Sequence, residues 1–423
     1  MIIQSIIEKN SLICSDCIFR QQEEQHTLRK MNMFKKMLKC YDYSLILAVF
    51  LLCGFGLIMI YSSSMITAVT RYETSSDYFF KKQLISLLLA TAAFLFMMFF
   101  PYRAYLNGKF LRVLFFGSVG VLGLLFLFGH VAGGAQSWFK FAGRAFQPAE
   151  FVKLASIIYL SAVYEKKQAY IKQFGKGALP PVIFTVLICV FVILQPDIGT
   201  AFIIWMIAMA IIACSGMGIK NMVKLIILAL FFLLLLSPLI LLNADDIFNK
   251  ERLSRLTAYS DPFQYEDGAG YQLVNSYIAI GSGGLKGLGL GESIQKYGYL
   301  PEPHTDFIMA VIAEELGIFG VLFVLVLLGY IVLKGLFIAR KCQDPFGTLI
   351  AVGVSSMIGI QTFINLGGLT GLIPITGVTL PFISYGGSSL LVLLLSTGLL
   401  VNVSMFVNYR EQYKKEKVGR DVF

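Results

Sequence analysis

The sequence predicts an all-α polytopic membrane protein: about ten transmembrane helices, with one large extracellular loop between the seventh and eighth. Three observations predict it. Of 423 residues, 57% are hydrophobic and only 14% are charged, against about 25% charged in a typical soluble domain. Apolar stretches of near-spanning length recur along the chain, and a span takes about 20 such residues. The basic residues alternate in density between successive connections, as they do when loops lie alternately inside and outside. A soluble globular enzyme is excluded, and 36 Phe with 20 Tyr exclude a disordered chain.

The first 40 residues are polar and do not span. They lack the apolar core after a basic start that marks a signal peptide. Met31 and Met33 stand just before Lys35, Lys36 and Lys39, so a start there would leave residues 1–30 outside the protein. The predicted spans are 43–62, 83–100, 111–129, 149–164, 180–195, 198–216, 222–243, 307–333, 346–366 and 384–407. Only Gln195-Pro196-Asp197 joins the fifth to the sixth. With the N-terminus inside, the inner segments hold 24 of the 35 Lys and Arg and the outer segments 10. This bias places both termini in the cytoplasm. The net charge of +10 then reflects basic cytoplasmic loops beside membrane lipid, and no nucleic-acid partner is expected. The expected organisation is a tail 1–40, a ten-helix domain 41–410 and a basic cytoplasmic tail 411–423.

Residues 244–306 form the large outer loop, too long for a plain linker and therefore expected to be functional and partly ordered. It holds an amphipathic stretch around Tyr271–Ile280 and the Gly-rich run Gly281–Gly291. Its early cations Arg252 and Arg255 would meet phosphate or simply be solvated. None of the seven Cys falls in an outer loop, so no disulfide is expected. Cys14-Ser-Asp-Cys17 is a lone CxxC without the four ligands a structural zinc needs.

Polar residues gather at one level. The fourth, sixth, eighth and tenth spans run from outside to inside. They open with Gln147-Pro-Ala-Glu150, Gln195-Pro-Asp197, His304-Thr-Asp306 and Ser384-Tyr-Gly-Gly-Ser388-Ser389. Helix N-termini carry free N–H groups and partial positive charge. Converging, they form a site for an anionic group such as a pyrophosphate. Proline with an acid in the first turn is also ordinary helix-start chemistry, so each motif alone reads equally as a cap.

Lys153 lies inside the fourth span, where an ammonium needs a partner; Glu150 is on the same side of the helix. Glu314 and Glu315 lie ~11 Å into the eighth span at 1.5 Å per residue. They are either a structural interhelical ion pair or supports for a phosphate-binding Lys153. Asp306 opens the eighth span as an N-cap or as a general base at the membrane surface. His304 is a neighbour of that base or an interfacial histidine. Trp138, Lys140 and Arg144 precede the fourth span on the outer side, as membrane anchors or substrate contacts. His26, His130 and His304 are too scattered for a metal site. No nucleotide-binding loop, serine elbow or metalloprotease motif is present.

Together these motifs resemble the shape, elongation, division and sporulation family of bacterial cell-wall proteins (FtsW, RodA and SpoVE) over about residues 41–410. The resemblance rests on Trp138 with Gln147-Pro-Ala-Glu-Phe-Val-Lys153, and on Gln195-Pro-Asp-Ile-Gly-Thr200. It rests equally on Gly289-Leu-Gly-Glu-Ser-Ile-Gln-Lys296, Tyr299-Leu-Pro-Glu-Pro-His-Thr-Asp306, Ala313-Glu-Glu-Leu-Gly317 and Leu380-Pro-Phe-Ile-Ser-Tyr-Gly-Gly-Ser-Ser389. Tyr61–Thr67 and Glu292–Pro301 look closest to the FtsW or SpoVE branch, as found in Bacillus-type cells. One departure is Ser137-Trp138-Phe139, where the family commonly has Arg-Trp-Ile; Lys140 or Arg144 would supply that charge.

The resemblance implies an inverting peptidoglycan glycosyltransferase that polymerises lipid II at the outer face of the cell membrane, at the division septum. Asp306 is then the essential carboxylate. Lys153, Arg144, Trp138, Gln195, Asp197, His304 and Ser388 are the expected substrate contacts, and Glu150, Glu314 and Glu315 support them. The expected partners are a class B penicillin-binding protein and other divisome proteins. A divalent cation (Mg or Mn) is compatible with the pyrophosphate, although no dedicated ligand cluster is seen. The alternatives are a lipid II flippase and a non-catalytic divisome scaffold.

Overall fold

The computed structural model describes residues 35–414 apart from 133–134, 142–143, 172, 243–253, 255–258 and 269. Cys14, Cys17, Met31, Met33, Arg252, Arg255 and residues 415–423 lie outside the described residues. Two compact units divide the chain, one of Tyr43–Val403 and one of the residues up to Asp42 with those from Ser404 on. In the small unit Asn408 donates to the Cys40 carbonyl at 2.9 Å, and the Lys36 ammonium lies 5.0 Å from the Tyr413 ring centre.

Ten helices occupy the ten predicted spans. They are α1 (Tyr43–Thr70), α2 (Tyr78–Phe99), α3 (Gly108–Phe128), α4 (Pro148–Lys166), α5 (Leu179–Leu194), α6 (Ile198–Cys214) and α7 (Ile219–Leu242). After the loop helix α8 (Tyr271–Gly283) come α9 (Ile308–Lys341), α10 (Pro345–Leu369) and α11 (Gly387–Tyr409). Among the described residues six helices are long and apolar enough to cross a membrane by length and composition alone, and α5 and α6 are shorter apolar helices. Helix α4 carries its ion pair inside the span. Lipid offers the backbone no hydrogen-bond partners, so a spanning segment must satisfy itself as a helix. Large side chains such as Phe116, Leu127, Leu234, Phe319 and Val326 are exposed, as lipid-facing residues should be.

The core centres on α10, which packs against α9, α6 and α4. Small residues permit this. A Cβ at Gly353 would lie 2.7 Å from Ile157 of α4 and 3.0 Å from Ile211 of α6. Close approach of backbones through small residues is the usual way helices associate where no water drives them together.

Two features depart from the sequence reading. The connection from α3 to α4 forms a three-stranded antiparallel sheet, β1 (His130–Ala132), β2 (Ala135–Phe141) and β3 (Arg144–Phe146). Trp138 faces His130 in its register, and Phe141 faces Arg144. The second departure lies in α9, which breaks at Gly317, with φ 62° and ψ −157°. Only glycine takes this conformation readily. Leu288 and Gly289 donate instead to the freed carbonyls of Glu314 and Glu315, each at 2.9 Å, and Ile318 donates to Gly284 at 3.2 Å. The Gly-rich run is pressed backbone to backbone onto α9: a Cβ at Gly283 would overlap the Ala313 carbonyl, and one at Gly287 the Glu315 carbonyl.

Candidate functional site

The four polar helix starts occupy the end of the large unit that carries the 244–306 connection, and they meet in two pairs. In the first, Gln147 before α4 donates to Asp197 Oδ2 at 3.0 Å, and Asp197 Oδ1 caps α6 by accepting from the Thr200 N–H at 3.1 Å. Asp197 thus uses both oxygens inside the protein. Gln195 is buried and donates to the Leu122 carbonyl at 2.9 Å, while the Ser137 hydroxyl donates to the Gln195 carbonyl at 3.4 Å. Lys153 is 1% exposed and paired with Glu150 at 2.8 Å, within electrostatic reach of Asp197. Trp138 is half-buried on β2. Arg144 and Lys140 lie on the sheet, and their side chains are outside the described residues.

The second pair joins the start of α9 to the turn before α11. Tyr385 N–H donates to the His304 carbonyl at 2.9 Å. The His304 ring is 2% exposed and sits 4.4 Å from the Phe79 ring and 5.6 Å from the Tyr385 ring, centre to centre. Burial, followed by the charge of Arg71, lowers its pKa to about 4. His304 is therefore neutral near pH 7 and wedges the loop against α2 instead of facing outward. Ser388 is buried in the first turn of α11.

Asp306 stands one residue before Phe307, the N-cap of α9. Its Oδ1 lies 2.9 Å from the Thr305 hydroxyl, which also reaches the carbonyl and carboxylate of Glu302 at 3.2 and 3.3 Å. Arg71 holds Glu302 from the end of α1, at 3.4 Å. Asp306 borders an open cleft of about 200 Å³ with Asn365, Gly368, Thr376, Gly377 and Val378. The 376–378 turn links the two pairs: Gly199 of α6 lies against Thr376 and Val378, and the same turn lines the cleft together with Asp306.

Glu314 and Glu315 do not meet Lys153, contrary to the reading that made them its supports. Glu315 accepts from Ser62 of α1 at 2.7 Å and from Lys296 at 2.8 Å. Lys296 is 0% exposed and also donates to the Gly291 carbonyl at 2.6 Å. Glu314 accepts from the Ser293 hydroxyl and from the Ile294 N–H at 2.9 Å. The two carboxylates form a latch that holds loop residues 291–296 to α9 and α1. Sequence reasoning missed Lys296. A buried pair of carboxylates demands donors, and Ser293-Ile-Gln-Lys296 was the nearest polar run able to supply them.

Comparison with known proteins agrees with this architecture. The FtsW, RodA and SpoVE family model, described as cell cycle protein, matches residues 43–409. The probable peptidoglycan glycosyltransferase FtsW of Bacillus subtilis is 61% identical over 385 residues, which are 91% of this chain and 96% of that protein. Stage V sporulation protein E of Bacillus subtilis is 38% identical over 371 residues, 87% of this chain and 98% of that one. Among solved structures, a chain of a peptidoglycan synthase complex matches with a TM-score of 0.66 at 24% identity, covering 88% of this chain and 99% of that one. The rod shape determining protein RodA of Thermus thermophilus matches with a TM-score of 0.60 at 24% identity, covering 88% and 98%. These two establish the fold. The family match and the Bacillus relatives extend over nearly all of the chain, which therefore belongs to the FtsW, RodA and SpoVE family.

Proposed function

We propose that this protein is a peptidoglycan glycosyltransferase that polymerises lipid II into glycan strands, working at the outer face of the cell membrane during septal division. The observation that carries the reading is Asp306: an acid at the mouth of a membrane helix, on the rim of an open cleft. The growing strand, still on its lipid pyrophosphate, is the donor. The 4-hydroxyl of the terminal amino sugar of lipid II is the acceptor. Asp306 removes the hydroxyl proton as that oxygen attacks the anomeric carbon, which inverts. The pyrophosphate leaves with the bonding electrons and gathers negative charge. Lys153 and the N-termini of α4 and α6 lie at the same end of the large unit to stabilise it. A divalent cation (Mg or Mn) carried on the pyrophosphate would add to that stabilisation.

The basic residue bias supports cytoplasmic termini and an outward-facing site. A class B penicillin-binding protein, which would crosslink the new strands, is the proposed partner, with other divisome proteins. The test is polymerisation of fluorescent lipid II by the purified protein, alone and with that partner, beside folded Asp306→Asn. Glycan ladders from the wild type and none from the variant support the reading. Ladders from both remove Asp306 from the chemistry. No ladder even with the partner, together with lipid II transport into liposomes, favours a flippase. Rescue of a depleted strain by Asp306→Asn favours a scaffold.

A further inference from the structure

Thr305 stands between two carboxylates. Its hydroxyl lies 2.9 Å from Asp306 Oδ1 and 3.3 Å from Glu302 Oε2, with the Glu302 carbonyl at 3.2 Å. A hydroxyl has one proton to give and lone pairs with which to accept. Three oxygens therefore share a single donor, and the shortest of the three contacts is to Asp306.

The backbone imposes this crowding. The Thr305 N–H closes a turn onto the Glu302 carbonyl at 3.4 Å. Arg71 holds the start of that turn, donating to the Pro301 carbonyl at 3.1 Å and to Glu302 Oε1 at 3.4 Å. Glu302 thus gives one oxygen to the cation and the other to the hydroxyl. The next carbonyls are fastened too: Tyr385 N–H donates to that of His304 at 2.9 Å and Asn365 to that of Asp306 at 2.8 Å. The Glu302 side chain is 36% exposed, so the second acid opens to water while the hydroxyl joins it to the first.

A hydroxyl so placed can reverse. While Asp306 is a carboxylate, the Thr305 proton points to its Oδ1. Once Asp306 carries a proton, it can donate to Thr305 Oγ1, and the Thr305 proton turns to Glu302 Oε2. The hydroxyl keeps a charged acceptor in both states, and such hydrogen bonds are the strong ones.

We propose, resting on the glycosyltransferase reading above, that Thr305 and Glu302 are positioning residues for that reaction: the Thr305 hydroxyl fixes the orientation of the Asp306 carboxylate and, by turning to Glu302, steadies the proton that Asp306 takes. The O–H bond of the acceptor breaks and an O–H bond on Asp306 forms. The Thr305 O–H bond only rotates, and the proton passes from Asp306 to water after the strand has moved on. Both residues act through Asp306, so their loss lowers kcat and leaves KM in place.

The experiment measures initial polymerisation rates against lipid II concentration for full-length wild type, Thr305→Val, Thr305→Ser and Glu302→Gln, with the partner transpeptidase present. Valine keeps the shape of threonine and removes the hydroxyl; serine keeps the hydroxyl and removes the methyl. Glutamine keeps an acceptor at position 302 and removes the charge. Rates are normalised to folded protein by size-exclusion chromatography and thermal midpoint. Thr305→Val should lower kcat by about 10- to 100-fold, the worth of one hydrogen bond to a charged group, with KM within about twofold. Thr305→Ser should stay close to the wild type in both, and Glu302→Gln should fall between. Glu302→Gln changes a part-exposed side chain, so it carries the test alone should the valine variant not fold. An unchanged kcat in Thr305→Val, or equal losses in Thr305→Val and Thr305→Ser, overturns the role of the hydroxyl. An unchanged kcat in Glu302→Gln overturns the role of the second acid, and a rise in KM with kcat unchanged overturns both. A silent wild type overturns the glycosyltransferase reading itself, so the failures are distinct.

Discussion

Replacing Lys296 with Met should open the loop latch without unfolding the helices. The ammonium is 0% exposed and makes contacts to Glu315 at 2.8 Å, to the Gly291 carbonyl at 2.6 Å and to Ser62 at 3.3 Å. Its removal leaves the Glu315 carboxylate, also 0% exposed, with the Ser62 hydroxyl and no compensating charge. Breaking a buried pair from one side costs about 3–5 kcal/mol, whereas replacing both partners with apolar residues is often neutral. At 1.36 kcal/mol per factor of ten, the single variant should raise the open population of residues 291–296 by about two to three and a half powers of ten. The probe is Gln295→Cys, since Gln295 is 8% exposed and its Oε1 makes no hydrogen bond. Thiol labelling at position 295 is followed by site-resolved mass spectrometry, because Cys214 is itself exposed. Lys296→Met should accelerate labelling by about 100-fold or more, and Lys296→Met with Glu315→Met should return it close to the starting rate. Equal acceleration in the single and double variants, or none in the single, would refute the reasoning.

Two further outcomes are expected. Gly283→Ala drives a methyl into the Ala313 carbonyl. It should destabilise by at least the ~1–3 kcal/mol of ordinary overpacking, read as a lower thermal midpoint. Gly281→Ala, also in α8 but with nothing within 4 Å of the new methyl, should be neutral or slightly stabilising. The His304 pKa lies at about 4 in the folded protein against 6.5 for the free group. Between those values the unfolded chain binds more protons, so stability falls as the pH drops from 6.5 toward 4 and is flat above. His304→Phe keeps the ring contacts and should flatten that acid slope in thermal unfolding measured across the same range.

The helices were legible because lipid leaves a spanning segment a single solution, and the apolar stretches announce their lengths. The loop helix α8 was legible from its amphipathic period around Tyr271–Ile280. The sheet between α3 and α4 was not read, although Gly133-Gly134 and Gly143 punctuate alternating residues there, a hairpin signal. It was masked by the expectation of helices alone. At the site, the sequence pointed to the right end of the molecule. Lys153 with Glu150 and the capping alternative for Asp197 could both be read from spacing along one helix. The Lys296–Glu315 pair could not, because its partners are brought together only by tertiary structure, 19 residues apart.

The break at Gly317 divides α9 into two levers. The short arm, residues 308–316, is fastened to the loop by the Glu314 and Glu315 carboxylates and carbonyls. The long arm, residues 318–341, runs on through the membrane and takes its first amide bond, from Ile318, to Gly284 and not to its own helix. A tilt of the long arm is thus borne by the loop before it reaches Asp306. The acid is tied to the lipid-facing helix through loop residues 284–296 as well as through the short arm, and separately to α10 and to the turn before α11.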